Sequence, residues 1–190
     1  MNIFPQFAEM DKGSFKQQDA DECFQGILTT LEPALPAQGG SLIDKLFGFH
    51  VRYTWKNTQT TEEPETYTDE LLRRLPCIID NQSHPINQLF EGIKVGLEGE
   101  VEKYSPTLES NAVYTKIGKL ATLPDYLIVQ NIRFIWKDLD TTTRNQAQKA
   151  KILRAVTFPK VLDMSDFCVP ELQEDFKKIR EKIKTSDEQK

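Results

Sequence analysis

The residues with the clearest chemical potential in this sequence are two amides and a carboxylate: Gln17, Gln18 and Asp19. Apolar residues at helical spacing follow Asp19, so we predict a helix from Asp19 to Leu31 with Asp19 capping its first turn. The cap explains the carboxylate but leaves the two amides unexplained. Glutamine side chains carry both donors and acceptors, which suits them to bind a passing peptide backbone. An ordinary capped helix is the simpler alternative.

The spacing of the cysteines and histidines predicts neither thiol catalysis nor metal binding. The thiols and imidazoles belong to Cys23, Cys77, Cys168, His50 and His84, which are scattered along the chain. A closed zinc site needs four Cys or His ligands, so we expect no structural zinc and no cofactor. Cys23 falls on the apolar face of the predicted helix, and we interpret it as a core residue rather than a nucleophile.

Composition narrows the class of protein. The chain has 190 residues, of which 38% are hydrophobic and 28% are charged, as is typical of a globular domain. The net charge of −5 argues against a nucleic-acid partner. The sequence has no apolar run near the ~20 residues of a membrane helix and no signal peptide, so we expect no membrane partner. Three widely spaced cysteines predict reduced thiols and an intracellular, cytoplasmic or nuclear location.

Periodicity predicts an α+β protein. Residues 49–56 alternate cleanly between apolar and polar side chains, which indicates a half-buried strand. The predicted strands cover residues 49–56, 75–79, 126–136 and 152–158. The predicted helices cover residues 19–31, 89–97 and 171–190. Between these elements, the polar and acidic residues 58–70 and the polar residues 137–149 predict loops.

Several motifs, in a consistent order, resemble one protein family. The sequence Gln-Gln-Asp-Ala-x-Glu at residues 17–22 resembles the glutamine box of the ubiquitin-specific proteases, a papain-like class of cysteine deubiquitinases. Residues 123–134 are similar to that family's Leu-Pro-x-x-Leu…Arg-Phe strand, and residues 156–164 to its Phe-Pro…Leu-Asp segment. Residues 4–7 and 105–114 are similar to the proteasome-associated branch of the family.

The resemblance implies a fold and a division of the chain. The expected fold is the papain-like one of thumb, fingers and palm, present here in part, with a helical thumb part and an antiparallel sheet. The implied divisions are a thumb part with a linker (residues 1–40), fingers (41–122), palm strands (123–170) and a charged helix (171–190).

The resemblance also implies a function, hydrolysis of the bond after the C-terminal glycine of ubiquitin by a thiol protease. The family's nucleophilic cysteine precedes the glutamine box and its catalytic histidine follows the Leu-Asp segment. We therefore expect this chain to be the central part of a catalytic domain, without the catalytic residues and inactive by itself. The implied partners are ubiquitin, its conjugates and, through regions outside this chain, the proteasome. A catalytically silent ubiquitin-binding or scaffold fragment is the alternative.

Within the family, the glutamine box lines the cleft that receives the extended C-terminal tail of ubiquitin. The resemblance assigns this role to Gln17, Gln18 and Asp19, whose amides suit the tail backbone and whose carboxylate suits its basic side chains. Phe134 is either part of the strand core or an aromatic cover over the cleft. Residues 137–149 are either a blocking loop over the cleft or a tolerated surface insertion.

The finger tips of many family members carry a zinc ribbon built from two Cys-x-x-Cys pairs. Near the two expected places this sequence has residues 54–58 and 114–118, which contain no cysteine. The resemblance therefore implies metal-free fingers, as in the proteasome-associated branch. We interpret the acidic run at residues 62–70 as solvated, with contact to a basic partner as the alternative.

Overall fold

The computed structural model describes residues 4–8, 10–11, 13–15, 18–38, 40–80, 85–137 and 148–187. Its helices are α1 (Ala20–Leu31), α2 (Leu42–Phe47), α3 (Leu89–Leu97) and α4 (Pro170–Asp187), with short 3-10 helices at Pro5–Ala8, Glu32–Ala34 and Ser165–Phe167. Its strands are β1 (Met10–Asp11), β2 (Ser14–Phe15), β3 (Pro36–Ala37), β4 (Gly40–Ser41), β5 (Phe49–Asn57), β6 (Thr66–Leu72), β7 (Leu75–Ile78), β8 (Glu98–Ser105), β9 (Ser110–Leu120), β10 (Val129–Ile132), β11 (Phe134–Lys137) and β12 (Gln148–Lys151). This mixture of helices and mostly antiparallel strands confirms the predicted α+β class.

The largest sheet has four antiparallel strands in the order β6-β5-β9-β8. Its central strand β5 follows the predicted alternation. Phe49 and Val51 are fully buried and Tyr53 is 6% exposed, whereas His50 faces solvent. Val51 lies opposite Leu120 of β9, which is also fully buried. One face of this sheet therefore forms the centre of the hydrophobic core.

Helix α3 packs directly onto β7 because two of its residues have no side chain. A Cβ atom added at Gly92 would lie 2.4 Å from Cys77 Sγ, and one added at Gly96 would lie 2.3 Å from the Pro76 carbonyl oxygen. The glycines weaken the intrinsic helix propensity, as expected from the sequence, but they allow a close contact that buries Ile93 completely. Tertiary packing therefore outweighs local propensity in α3.

The strand predicted over residues 126–136 is divided into two at Arg133. β10 pairs with β7 in a parallel arrangement, whereas β11 pairs with β12 in an antiparallel one. The strand pairing is therefore interrupted at Arg133, between the two partners. The backbone oxygen of Arg133 accepts a hydrogen bond of 2.7 Å from Ile152 N.

The prediction of a strand over residues 152–158 is wrong. β12 ends at Lys151, and the following segment crosses to the start of α3, where Thr157 N donates to Asn87 O at 2.8 Å. Ile152 and Val156 pack against the core from this irregular segment, while Phe158 is 76% exposed. Apolar spacing in this segment reflects packing onto the core rather than a place in a sheet.

Both predicted loops are shorter than the sequence indicated. β6 begins at Thr66, so the acidic loop narrows to residues 58–65. Polar residues are tolerated on this edge strand because residues 66–71 are all exposed to solvent. Lys137 belongs to β11, and β12 begins at Gln148. Residues 138–147 lie outside the described part of the chain, so the blocking-loop hypothesis is not tested.

Helix α4 confirms the predicted charged helix, but only its first half packs on the core. Leu172 and Phe176 contact the core, whereas Ile179 and Ile183 are 53% and 57% exposed.

None of the helices in the described ranges is both long and apolar enough to cross a membrane.

We expect Gly92→Ala to lower the free energy of unfolding by about 1–3 kcal/mol, because the new methyl group overlaps Cys77 Sγ and α3 must move away from β7. Gly99→Ala is the matched control, since nothing lies within 4 Å of a Cβ at that position in β8. Urea denaturation of both variants checks the prediction. Equal stability of the two variants would contradict it.

Candidate functional site

The predicted amide and carboxylate site lies at the start of α1. Asp19 has extended backbone angles and its Oδ1 accepts a 2.9 Å hydrogen bond from Asp21 N, so the predicted helix cap is confirmed. The Asp19 backbone oxygen accepts from Cys23 N at 3.1 Å, which closes the first turn. Gln18 and Asp19 are half-buried, and Gln17 lies outside the described residues. The role of these three residues in binding a peptide tail stays a prediction.

Aromatic side chains hold α1 against the rest of the molecule. The ring of Phe24 lies 6.4 Å, centroid to centroid, from that of Phe47 in α2, and Phe47 lies 6.2 Å from Tyr126. Leu28 is buried on the same side of the helix. These contacts place α1 beside the segment that leads into β10.

The other predicted site residue, Phe134, is the first residue of β11. It is half-buried and lies opposite Lys151 of β12. The preceding Arg133 connects this point of the chain to the segment after β12, because its Nη1 donates to the carbonyl oxygens of Arg154 at 2.9 Å and Ile152 at 3.5 Å. Half-burial suits both roles that the sequence left open for Phe134, in the strand core or over a cleft.

One side chain connects the elements that carry these two predicted sites. Arg74 Nε lies 3.0 Å from Asp21 Oδ1 and donates a 2.9 Å hydrogen bond to Gln130 Oε1. Asp21 is two residues beyond Asp19, and Gln130 is four residues before Phe134. Arg74 was not predicted as a site residue, because its local signal is only a basic pair that follows the acidic residues of β6.

A carboxylate network lies at the far end of the four-stranded sheet. Glu63, in the loop between β5 and β6, accepts hydrogen bonds from Ser105 Oγ at 2.6 Å, Tyr114 OH at 2.6 Å and Asn57 Nδ2 at 2.8 Å. The three donor residues are buried and belong to β8, β9 and β5. The hydrogen bond from Ser105, followed by those from Tyr114 and Asn57, lowers the pKa of Glu63 from its usual value. Glu63 thus fastens the loop to three strands.

The two buried cysteines have the environment of core residues. Cys77 and Cys168 are at most 1% exposed, and burial raises the pKa of both thiols. Their sulfur atoms donate weakly to the carbonyl oxygens of Leu89 and Met164. A raised pKa disfavours the reactive thiolate. Within the described ranges, no thiol is hydrogen-bonded to a histidine, and no group of three His, Cys, Asp or Glu side chains is arranged to hold a metal ion.

Comparison with known proteins identifies the family. A family model described as "Ubiquitin carboxyl-terminal hydrolase" matches residues 2–181. The chain belongs to the ubiquitin carboxyl-terminal hydrolase family. It is 38% identical to ubiquitin carboxyl-terminal hydrolase 6 of Arabidopsis thaliana, in an alignment that covers 98% of this chain and 37% of the relative. It is 36% identical to ubiquitin carboxyl-terminal hydrolase 6 of Schizosaccharomyces pombe, over 95% of this chain and 37% of the relative.

A more distant relative supports the family, and a solved structure supports the fold. Ubiquitin carboxyl-terminal hydrolase 14 of Caenorhabditis elegans is 33% identical over 98% of this chain and 35% of its own length. The structure of the SAGA Ubp8/Sgf11/Sus1/Sgf73 DUB module bound to ubiquitin aldehyde aligns with a TM-score of 0.62 at 17% identity, over 82% of this chain and 34% of that chain. This likeness confirms the predicted fold. The chain thus spans a little over a third of the curated relatives it matches.

In this member of the family, the Glu63 network lies in the region where the family resemblance would place the zinc-ribbon pairs. Asn57 belongs to the first of those places, residues 54–58, and Tyr114 to the second, residues 114–118. The Glu63 carboxylate accepts hydrogen bonds from β5, β8 and β9, and it therefore joins these three strands without a metal ion. Glu63 belongs to the acidic run that the sequence analysis interpreted as solvated, and its network was not predicted because Ser105 and Tyr114 lie 42 and 51 residues away from it.

We expect Glu63→Gln to lower the free energy of unfolding at pH 7. In acid, where Glu63 itself is protonated, the substitution should have little effect. Because the folded-state pKa of Glu63 is lowered, its contribution is complete above the unfolded pKa of about 4.3 and disappears as the pH falls through the lower folded value. Urea denaturation at pH 7 and about pH 3 measures the difference from the parent chain. The exposed neighbour Glu62 supplies the control, Glu62→Gln. A destabilisation that does not depend on pH, or one matched by the control, would contradict this role.

Proposed function

We propose that this chain is the ubiquitin-recognising part of a deubiquitinase catalytic domain, which hydrolyses the bond after the C-terminal glycine of ubiquitin. One observation carries the proposal: the family match extends over residues 2–181, and the glutamine-box motif within it stands at a capped and anchored helix start. Ubiquitin and its conjugates are the proposed substrates.

The chemistry of the α1 start suits an extended peptide tail. Gln17 and Gln18 supply amide donors and acceptors for the tail backbone, and Asp19 supplies a carboxylate for its basic side chains. Asp19 also lies at the positive end of the α1 dipole, where a carboxylate interacts favourably with the helix. Phe134, in the proposed arrangement, contributes an aromatic surface to the other side of the cleft.

The thiol and imidazole that carry out hydrolysis are, in this proposal, residues other than the cysteines described above. A cysteine protease needs a thiolate and a base within hydrogen-bond reach, with a third group orienting the base. Cys77 and Cys168 have raised thiol pKa values, and Cys23 lies within α1. We assign substrate recognition to this chain and the nucleophilic step to other parts of the complete protein.

Two further features of the proposal concern cellular context. We propose association with the proteasome, supported by the resemblance of residues 4–7 and 105–114 to the proteasome-associated branch. We also propose an intracellular location, in the cytoplasm or the nucleus, supported by three cysteines that are all free.

The 190-residue chain by itself should have no deubiquitinase activity, because its described thiols lack a histidine partner. The assay is the release of a fluorophore from a ubiquitin C-terminal amide, with the complete protein as the positive control. Activity of the isolated chain that Cys23→Ala abolishes would assign the nucleophile to Cys23 and overturn this part of the proposal.

Replacing Asp19 in the complete protein tests the tail-binding role. Losing a hydrogen bond to a charged group costs roughly 1.5–3 kcal/mol, so Asp19→Ala should lower kcat/KM for ubiquitin-amide hydrolysis about tenfold or more. Asp19→Ser keeps a capping oxygen and removes the charge, so it separates tail binding from capping. Ser41→Ala is the matched control, because Ser41 caps α2 through a 3.0 Å bond from Asp44 N. Unchanged kinetics with Asp19→Ser would reduce Asp19 to a cap.

A further inference from the structure

Two consecutive arginines in the turn between β6 and β7 contact both ends of α1. Arg74 pairs with Asp21 in the first turn of the helix, and Arg73 pairs with Glu32 immediately after its last turn. α1 has 12 residues and is about 18 Å long, so one two-residue turn restrains it at both ends. This double contact opposes both sliding and tilting of α1 relative to the sheet.

Arg73 connects α1 to the neighbouring helix. Its Nε donates to Asp44 Oδ1 at 2.8 Å, while its other end contacts Glu32. The bond from Arg73 lowers the pKa of Asp44, so the carboxylate stays ionised. The end of α1, the start of α2 and the β6–β7 turn therefore form one charged cluster.

Arg74 connects α1 to the strand that leads to Phe134. Its single Nε hydrogen is donated to Gln130 Oε1, while Asp21 is held at 3.0 Å by charge. The Arg74 and Asp21 side chains are 29% and 27% exposed, so water only partly screens their attraction. Gln130 lies opposite Pro76 in the parallel pair of β10 and β7, which gives the contact a rigid base.

The geometry points to Arg74 as a positioning residue that sets the separation between the α1 start and the strand entering Phe134. These are the two walls of the proposed cleft for the ubiquitin tail, so the inference rests on the proposed function. Arg74 acts through Asp21 and Gln130. It lies where the predicted thumb, fingers and palm parts meet, and its loss should let the α1 start move relative to β10.

The test uses the complete protein and two variants that break the same contact from opposite sides. Arg74→Gln removes the charge that holds Asp21. Asp21→Asn removes the partner charge while keeping the arginine and its bond to Gln130, so it provides a second measurement if Arg74→Gln folds poorly. We expect each variant to lower kcat/KM for ubiquitin-amide hydrolysis about tenfold, since displacements of about 1 Å in a site can cost up to 100-fold. The double variant should be no worse than Arg74→Gln alone, because Arg74→Gln already removes the contact with Asp21.

Arg52→Gln is the matched control for loss of an arginine–aspartate pair. Arg52 contacts Asp69 through two hydrogen bonds of 3.0 and 3.2 Å on the sheet surface away from α1. We expect its kcat/KM to equal that of the parent protein. Hydrogen exchange gives a readout independent of activity: the Cys23 amide, bonded to Asp19 O, should exchange faster in Arg74→Gln and not in Arg52→Gln.

The outcomes separate this inference from the proposed function. If Asp19→Ser impairs hydrolysis while Arg74→Gln and Asp21→Asn lower only the melting temperature, Arg74 has a purely structural role and the inference is overturned. If Asp19→Ser has no effect either, the proposed tail cleft is itself wrong. A tenfold loss in both variants, non-additive and with faster exchange at the start of α1, supports the positioning role.

Discussion

Burial of one face of β5 is the constraint on which the rest of the structure depends. Phe49 and Val51 are fully buried at the centre of the core, and β5 bonds to β6 on one side and β9 on the other. Because side chains alternate along a strand, this burial sets the register of both neighbours. The end of β6 in turn determines where Arg73 and Arg74 stand. The contacts that hold α1 therefore depend on the packing of β5.

Hydrogen bonds to carboxylates connect the loops and helix ends at the periphery of the molecule to the strands. At the far end of the sheet Glu63 accepts three hydrogen bonds, and beside α1 the side chains of Glu32 and Asp44 share Arg73. Charge-assisted hydrogen bonds are stronger than neutral ones, and partial burial limits their screening by water. In this family member, hydrogen bonds to the Glu63 side chain join three strands in the region where the sequence predicts metal-free fingers.

The errors of the sequence analysis have identifiable causes. Residues 152–158 have the apolar spacing of a strand, but their side chains pack onto the core from an irregular segment. Residues 66–70 are too polar to predict a strand, yet they form one because an edge strand needs only one bonded neighbour. The helix predicted over residues 89–97 is confirmed, and its two glycines, which weaken helix propensity, are explained by their close contact with β7. Each case depends on a neighbour that is distant in the chain.

By itself the sequence determined the features whose causes are local: the capped start of α1 at Asp19, the alternation of β5 and the order of family motifs. Capping and alternation join residues only two to four positions apart, so they can be read from adjacent letters. Only the tertiary structure decided that Arg74 bonds Gln130, 56 residues away, and that Tyr114 bonds Glu63, 51 residues away. Such partners are brought together by the packing of whole strands and helices, so short-range sequence patterns do not predict them.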